Sequence, residues 1–250
     1  MFARTAGTAA LAALTGCAAA LAVSGCHVDA DRLQHRARTY AVSSAVHTLV
    51  INNRVGDVHV TAGAGPVSVT ERISYRHQPP ATTHAVHAGT LTLSGTCPVS
   101  QACDVEYHVR VPSGATVDIS DRVGNIRLAA LAGQVTARTS AGGIALRSLS
   151  GALRVRNNAG SISGSDMSSA TATLSTNVGS IDLSFSAPPT TVAAATSVGS
   201  ITLRLPRGVA YAVHASVSAG SIHVTVPRAR NSAHRITART RAGSVTIGPA

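Results

Sequence analysis

Gly179-Ser180-Ile181-Asp182-Leu183 is followed twenty residues later by Gly199-Ser200-Ile201-Thr202-Leu203, and much of the remaining chain is a variation on that unit. Further copies are Gly124-Asn125-Ile126-Arg127-Leu128, Gly142-Gly143-Ile144-Ala145-Leu146, Gly220-Ser221-Ile222-His223-Val224 and Gly243-Ser244-Val245-Thr246-Ile247. Gly160-Ser161-Ile162 is a weaker copy, and Gly56-Asp57-Val58-His59-Val60 is an early outlier. From Gly124 onward the glycines lie 18, 18, 19, 20, 21 and 23 residues apart. A near-constant period of this length, with strand-type alternation inside each unit, predicts a β-solenoid.

The alternation is visible in Gly133-Gln134-Val135-Thr136-Ala137-Arg138-Thr139, where Val135, Ala137 and Thr139 point one way and Thr136 and Arg138 the other. Each unit therefore holds two short strands joined at a glycine corner, and glycine suits that corner because it reaches φ > 0 without steric cost. The position three before each glycine reads Asp121, Thr139, Asn157, Thr176, Thr196, Val217 and Thr240. This ladder is expected to bond backbone groups at the corner. The lengthening period is absorbed in the second connection, at Pro188-Pro189, Pro206-Arg207-Gly208 and Pro227 to Ser232. The expected fold is all-β: one parallel β-helix-like solenoid domain over residues 45–250, irregular over 45–115 and regular over 116–250.

Residues 1–25 read as a secretory signal peptide, with Arg4 followed by an Ala/Leu/Val-rich run and small residues. Val23-Ser24-Gly25-Cys26 has the form of a lipobox, and Leu14-Thr15-Gly16-Cys17 also matches. Lipidation at Cys26 leaves Cys97 and Cys103 as an even pair, whereas processing at Cys17 strands Cys26 as a spare thiol. Acyl chains on Cys26 would fix the protein to the outer face of the cytoplasmic membrane, with residues 26–44 as a polar tether. Cys97 and Cys103 lie between two strand-like stretches and are expected to form a structural disulfide closing a hairpin.

All 21 basic residues are Arg, the formal charge is +11, and there is no Trp. Phe185 is the only phenylalanine after residue 25, which argues against sites that stack sugars or bases on aromatic faces. Arg127, Arg138, Arg147, Arg154 and Arg156 fall at outward positions, and Arg235, Arg239 and Arg241 crowd the last unit. Such surfaces attract acidic envelope polymers or anionic lipid head groups. Nucleic acid is not an expected partner of an exported chain.

No nucleophile motif, phosphate loop or dinucleotide fingerprint is present. The repeat region holds only Asp118, Asp121, Asp166 and Asp182, scattered over several units, so neither a carbohydrate-active β-helix enzyme nor a calcium-binding repeat is favoured. His77, His84 and His87 share a Pro-rich stretch that His108 could lie near, but they lack the fixed spacing of a metal site. The expectation is a non-enzyme with no metal and no cofactor.

Val109-Arg110-Val111-Pro112-Ser113-Gly114-Ala115, the recurring Gly-Ser-Ile corners, and Leu203-Arg204-Leu205-Pro206 followed by Tyr211 carry a resemblance to a known group. Over about residues 45–248 the chain resembles the bacterial "putative adhesin" family, secreted or lipid-anchored β-solenoids of unknown function. The resemblance implies an adhesion or envelope-binding module and brings no catalytic residues with it. An accessory that binds a membrane protein is the alternative. The last strand ends at Gly248-Pro249-Ala250 with no cap, so self-association is expected at the C-terminal coil edge.

Overall fold

The computed structural model describes residues 32–98 and 102–250. Cys17, Cys26 and the expected signal peptide over residues 1–25 lie outside the described residues. Strands β1 (Gln34–Val42), β2 (Thr48–Val55), β3 (Val58–Ala62), β4 (Val67–Tyr75), β5 (Ala81–His87), β6 (Thr90–Thr96) and β7 (Cys103–Val111) form the N-terminal part. The coils that follow are β8 (Thr116–Val123) with β9 (Ile126–Ala129), β10 (Val135–Ala141) with β11 (Ile144–Arg147), and β12 (Leu153–Ala159) with β13 (Ile162–Met167). Next come β14 (Thr171–Val178) with β15 (Ile181–Phe185), and β16 (Thr191–Val198) with β17 (Ile201–Leu205). Last are β18 (Ala212–Ala219) with β19 (Ile222–Val224), and β20 (Arg235–Ala242) with β21 (Val245–Pro249).

In each coil the longer strand joins a 10-stranded sheet and the shorter one an 11-stranded sheet, so the two sheets face each other across a thin core. Coil stacks on coil in parallel register, Val135 beside Val117 and Leu153, Ile144 beside Ile126 and Ile162. The inward columns of Val, Ile, Leu and Ala are buried, and β-branched residues suit this pleated, half-buried surface.

The glycine corner has a more demanding cause than left-handed backbone. Gly142, Gly160, Gly179, Gly199, Gly220 and Gly243 do have positive φ, but Gly124 does not. Common to all is the carbonyl of the glycine in the adjacent coil: a Cβ on Gly124 would lie 2.1 Å from the Gly56 oxygen, and one on Gly199 would lie 2.1 Å from that of Gly179. The ladder three residues upstream bonds these carbonyls. Asn157 Nδ2 donates to Gly142 O at 2.8 Å, and the hydroxyls of Thr176, Thr196 and Thr240 donate to the oxygens of Gly160, Gly179 and Gly199. Asn53 continues the column, its Nδ2 donating to Gly56 O and Val105 O. Thr139 donates instead to Ala141 O, Val217 has no polar group to offer, and Asp121 is buried at 5 % exposure with no hydrogen-bond partner on either carboxyl oxygen.

Both ends depart from sequential stacking. At the N-terminal end β2/β3 stacks directly on β8/β9, and β6/β7, which comes later in sequence, lies on its other side. Strands β6 and β7 belong to different sheets, so the Cys97–Cys103 disulfide closes a corner between sheets and not the hairpin expected from the sequence.

Residues 34–42, assigned above to a tether, instead form β1, antiparallel to β4. The reason is Glu71 of β4, whose side chain is 0 % exposed: Arg38 Nη2 meets its Oε2 at 3.0 Å and the Tyr40 hydroxyl donates to its Oε1 at 2.7 Å. A buried carboxylate must be paired, and β1 supplies both partners. The double variant Arg38→Met/Tyr40→Phe should lose about 3 kcal/mol of unfolding free energy by urea denaturation. Adding Glu71→Gln should recover part of that loss; no recovery would mean that β1 acts by packing alone.

At the other end the last coil is not the edge. Strand β20 inserts between β16 and β18, and β21 between β17 and β19. Position sets the exposure: Ile236, Ala238, Val245 and Ile247 of the inserted β20/β21 are fully buried, whereas Ile222 of the edge strand β19 is 48 % exposed. The last residue pairs with β17, Ala250 N donating to Leu205 O at 2.8 Å. The edge expected at the C-terminal coil is thus formed by β18 and β19.

Candidate functional site

Alternation along the strands sends every second side chain outward, and parallel register lines these side chains up in rows. On the 10-stranded sheet one row runs Ser120, Arg138, Arg156, Ser175, Ala195, Arg239 and Ser216. Arg154 stands in the neighbouring row, between Thr136 and Thr173. Among the described residues Asp118 is the only outward-facing carboxylate on the strands of this sheet, and it meets Arg138 at 3.3 Å. From β12 through β14, β16 and β20 to β18 the strands contain no Asp or Glu.

That acid-free stretch leads into two concavities. One, of about 700 Å³, is lined by Tyr211, His214, Arg228, Arg230, Arg235 and Thr237. A shallower groove of about 390 Å³ lies between Arg239 and Arg241 and the small polar side chains Ser175, Asn177, Ser197 and Ser216. Tyr211 is buried, its hydroxyl donating to Pro206 O at 3.0 Å, and it fixes the wall from which Arg228 projects. Burial raises the Tyr211 hydroxyl pKa, so it stays a neutral donor.

The remaining sequence-predicted arginines lie on the opposite sheet. Arg127 and Arg147, with Arg204, border a trough of about 540 Å³ floored by Ala129, Ala145 and Ser163. Here charge is largely balanced: Arg127 Nη1 meets Asp57 Oδ2 at 2.9 Å, and Arg204 forms a bidentate pair with Asp182. The eight arginines singled out by sequence therefore do not form one patch, and the unpaired ones concentrate on the 10-stranded sheet. Asp118 and Asp182 face outward from opposite sheets and Asp121 faces inward, so these carboxylates are not one acid pair.

At one end of the trough lies a cluster the sequence reading missed. His59 on β3 sits beside His108 on β7 in parallel register, with ring centroids 4.5 Å apart, and Glu106 precedes His108 by two on the same face. Their ligand atoms lie within 4.8 Å of one another. Burial, then His108 and Arg127, lower the His59 pKa against the pull of Glu106 and Asp57. For Asp57 burial works against ionisation, but the Asn125 backbone N–H and Arg127 outweigh it and hold the pKa below the usual value. The Val58-His59-Val60 and Tyr107-His108-Val109 alternation places both histidines outward, but only the return of β7 alongside β3 brings them together. His77 follows β4, whereas His84, on β5, lies against the Tyr40 ring at 4.5 Å.

The architecture defines a repetitive β scaffold with broad polar faces. A family model described as Toastrack DUF4097 matches residues 42–248, and the chain belongs to that family. Among solved structures it is similar to a "putative adhesin" of Bacteroides fragilis, 17 % identical, with a TM-score of 0.55 over 87 % of this chain and 97 % of that one. It is also similar to a "putative cell adhesion protein" of Clostridium sporogenes, 12 % identical, with a TM-score of 0.44 over 88 % of this chain and 100 % of that one. At these identities the likeness concerns the fold. No curated protein matches.

Proposed function

We propose that this chain is an exported, non-catalytic binding module of the cell envelope, lipid-anchored through Cys26, with an acidic polymer as its ligand. The observation that carries the reading is the acid-free arginine face from β12 to β18. Repeated phosphate or carboxylate groups on an extended chain can meet Arg154, Arg156, Arg239, Arg241 and Arg235 in succession, and contact grows with each coil crossed. The adhesin-named structures are consistent with a binding role.

Capture of purified wall polymer by the protein, followed across a salt titration, tests the reading. Replacing Arg235, Arg239 and Arg241 together by Ala should weaken capture on the order of tenfold at low ionic strength. Arg127→Ala with Arg204→Ala should change it little, because Asp57 and Asp182 already neutralise those side chains. Equal loss from both sets would reduce the effect to net charge and sink the proposal.

A second reading, an accessory docked on a membrane protein, is favoured by the open β18/β19 edge with Ile222 exposed. That reading requires salt-resistant capture of a protein, abolished by Ile222→Asp.

A further inference from the structure

We infer that His59, Glu106 and His108 form a binding site for a divalent transition-metal cation, zinc foremost. Two imidazoles and one carboxylate are a common donor set for such ions, and the three donors here come from adjacent strands of one rigid sheet. Glu106 Oε1 lies 2.8 Å from His108 Nε2 and 3.8 Å from His59 Nε2. Zinc holds its N and O ligands at about 2.0–2.2 Å, so small side-chain rotations bring all three atoms onto one ion. Asp57 stands ready as a fourth ligand, its Oδ2 3.9 Å from His59 Nε2.

The hydrogen bonds show which lone pairs point inward. A guanidinium only donates, so Arg127 Nη1 at 2.8 Å makes His59 Nε2 an acceptor, and the ring carries its proton on Nδ1. His59 is thus already in the tautomer that presents Nε2 to a cation. His108 Nε2 lies 2.8 Å from Glu106 Oε1 and 3.2 Å from Arg72 Nη1; the carboxylate contact needs a proton on Nε2 and the guanidinium contact needs it bare, so the ring makes one bond or the other. A metal ion takes the place of the proton or the Arg72 donor at His108 Nε2 and of the Arg127 donor at His59 Nε2.

Arg127 and Arg72 oppose the ion. Arg72 Nη1 lies 3.6 Å from Glu106 Oε2, yet both side chains are more than half or about half exposed and can swing away. Their charge makes this a micromolar site and not a nanomolar one. With three or four protein ligands, further coordination can come from water or from an oxygen of a molecule lying in the adjoining trough, which His59 also lines.

The test is calorimetric titration of the full chain, free of any histidine tag, with zinc chloride, paired with thermal melts with and without zinc. Expected are one zinc per chain and a melting temperature that rises with zinc concentration. His59→Ala and His108→Ala should each weaken binding by about 100-fold or more, and Glu106→Gln by about tenfold or more. Arg72→Ala should tighten it several-fold. His84→Ala with His87→Ala should leave it unchanged. Glu106→Gln preserves shape at a half-buried position, so a folded variant is available even if a histidine variant fails to fold. No stoichiometric uptake below about 100 µM zinc, or uptake indifferent to His59, Glu106 and His108, overturns the inference.

Discussion

Asp121→Asn should stabilise the protein at pH 8 while leaving its stability at pH 4 nearly unchanged. Asp121 points inward from β8 with both carboxyl oxygens unpartnered. Burial pushes its pKa up to about 7, with Asp57 and Asp104 adding to the rise and the Arg122 backbone N–H opposing it. The folded state therefore holds the proton more tightly than the unfolded chain, in which an aspartate titrates near 3.8. Stability is full below about pH 4 and is lost as pH rises through about 7, where it reaches a lower plateau. A shift of this size corresponds to a loss on the order of 4 kcal/mol. Asn at this position keeps the shape, never ionises, and supplies the donor that Asn53 and Asn157 use at the same place in other coils. Urea denaturation at pH 4, 6 and 8 should give a series that falls much more steeply for the parent than for the variant. Parallel series would mean that Asp121 is solvated.

The ladder containing Asp121 also shows how much of this fold is legible in sequence. Glycine spacing and alternation located the coils, and the polar position three before each glycine correctly implied a bond to the corner backbone, as Thr176, Thr196 and Thr240 show. Those features are local, repeated and independent of what lies next in space. Order in space is another matter. Strand β20, and not β18, pairs with β16, and the two strands carry such similar inward patterns that neither one alone marks which takes the inner place. The same limit hid His59 and Glu106–His108, which are 47 and more residues apart in sequence and meet only because β7 returns beside β3. Residues 34–42 looked like a tether because Arg36, Arg38 and Thr39 are polar. Their partner, Glu71, is one buried acid in an otherwise ordinary strand. Of the arginines, sequence placed each on an outer face but could not say which were neutralised, since Asp57 reaches Arg127 from another coil.

Gly151→Ala should cost at least about 4 kcal/mol, whereas Gly208→Ala should cost about 1 kcal/mol. The pair separates two reasons for glycine in a stacked coil. Gly208 has φ of +77° with nothing within 4 Å of an added Cβ, so alanine there meets backbone strain alone. Gly151 has no left-handed backbone, but its Cβ would lie 1.8 Å from the Gly133 carbonyl oxygen and 2.4 Å from the carbonyl carbon. Neither is the tip of a flexible side chain, so relief requires two coils to part. Adjacent strands sit about 4.8 Å apart along the stack, and that spacing is held by hydrogen bonds on both sides, such as Ser150 N to Leu131 O and Val135 N to Ala152 O. Moving one coil off its neighbour stretches bonds in both sheets and opens the core column of Val135 and Leu153. The cost should therefore appear as a lower denaturation midpoint for Gly151→Ala with the same disulfide content. If Gly208→Ala proves the more damaging substitution, conformational freedom and not close approach governs these corners, and the steric account of the repeat is wrong.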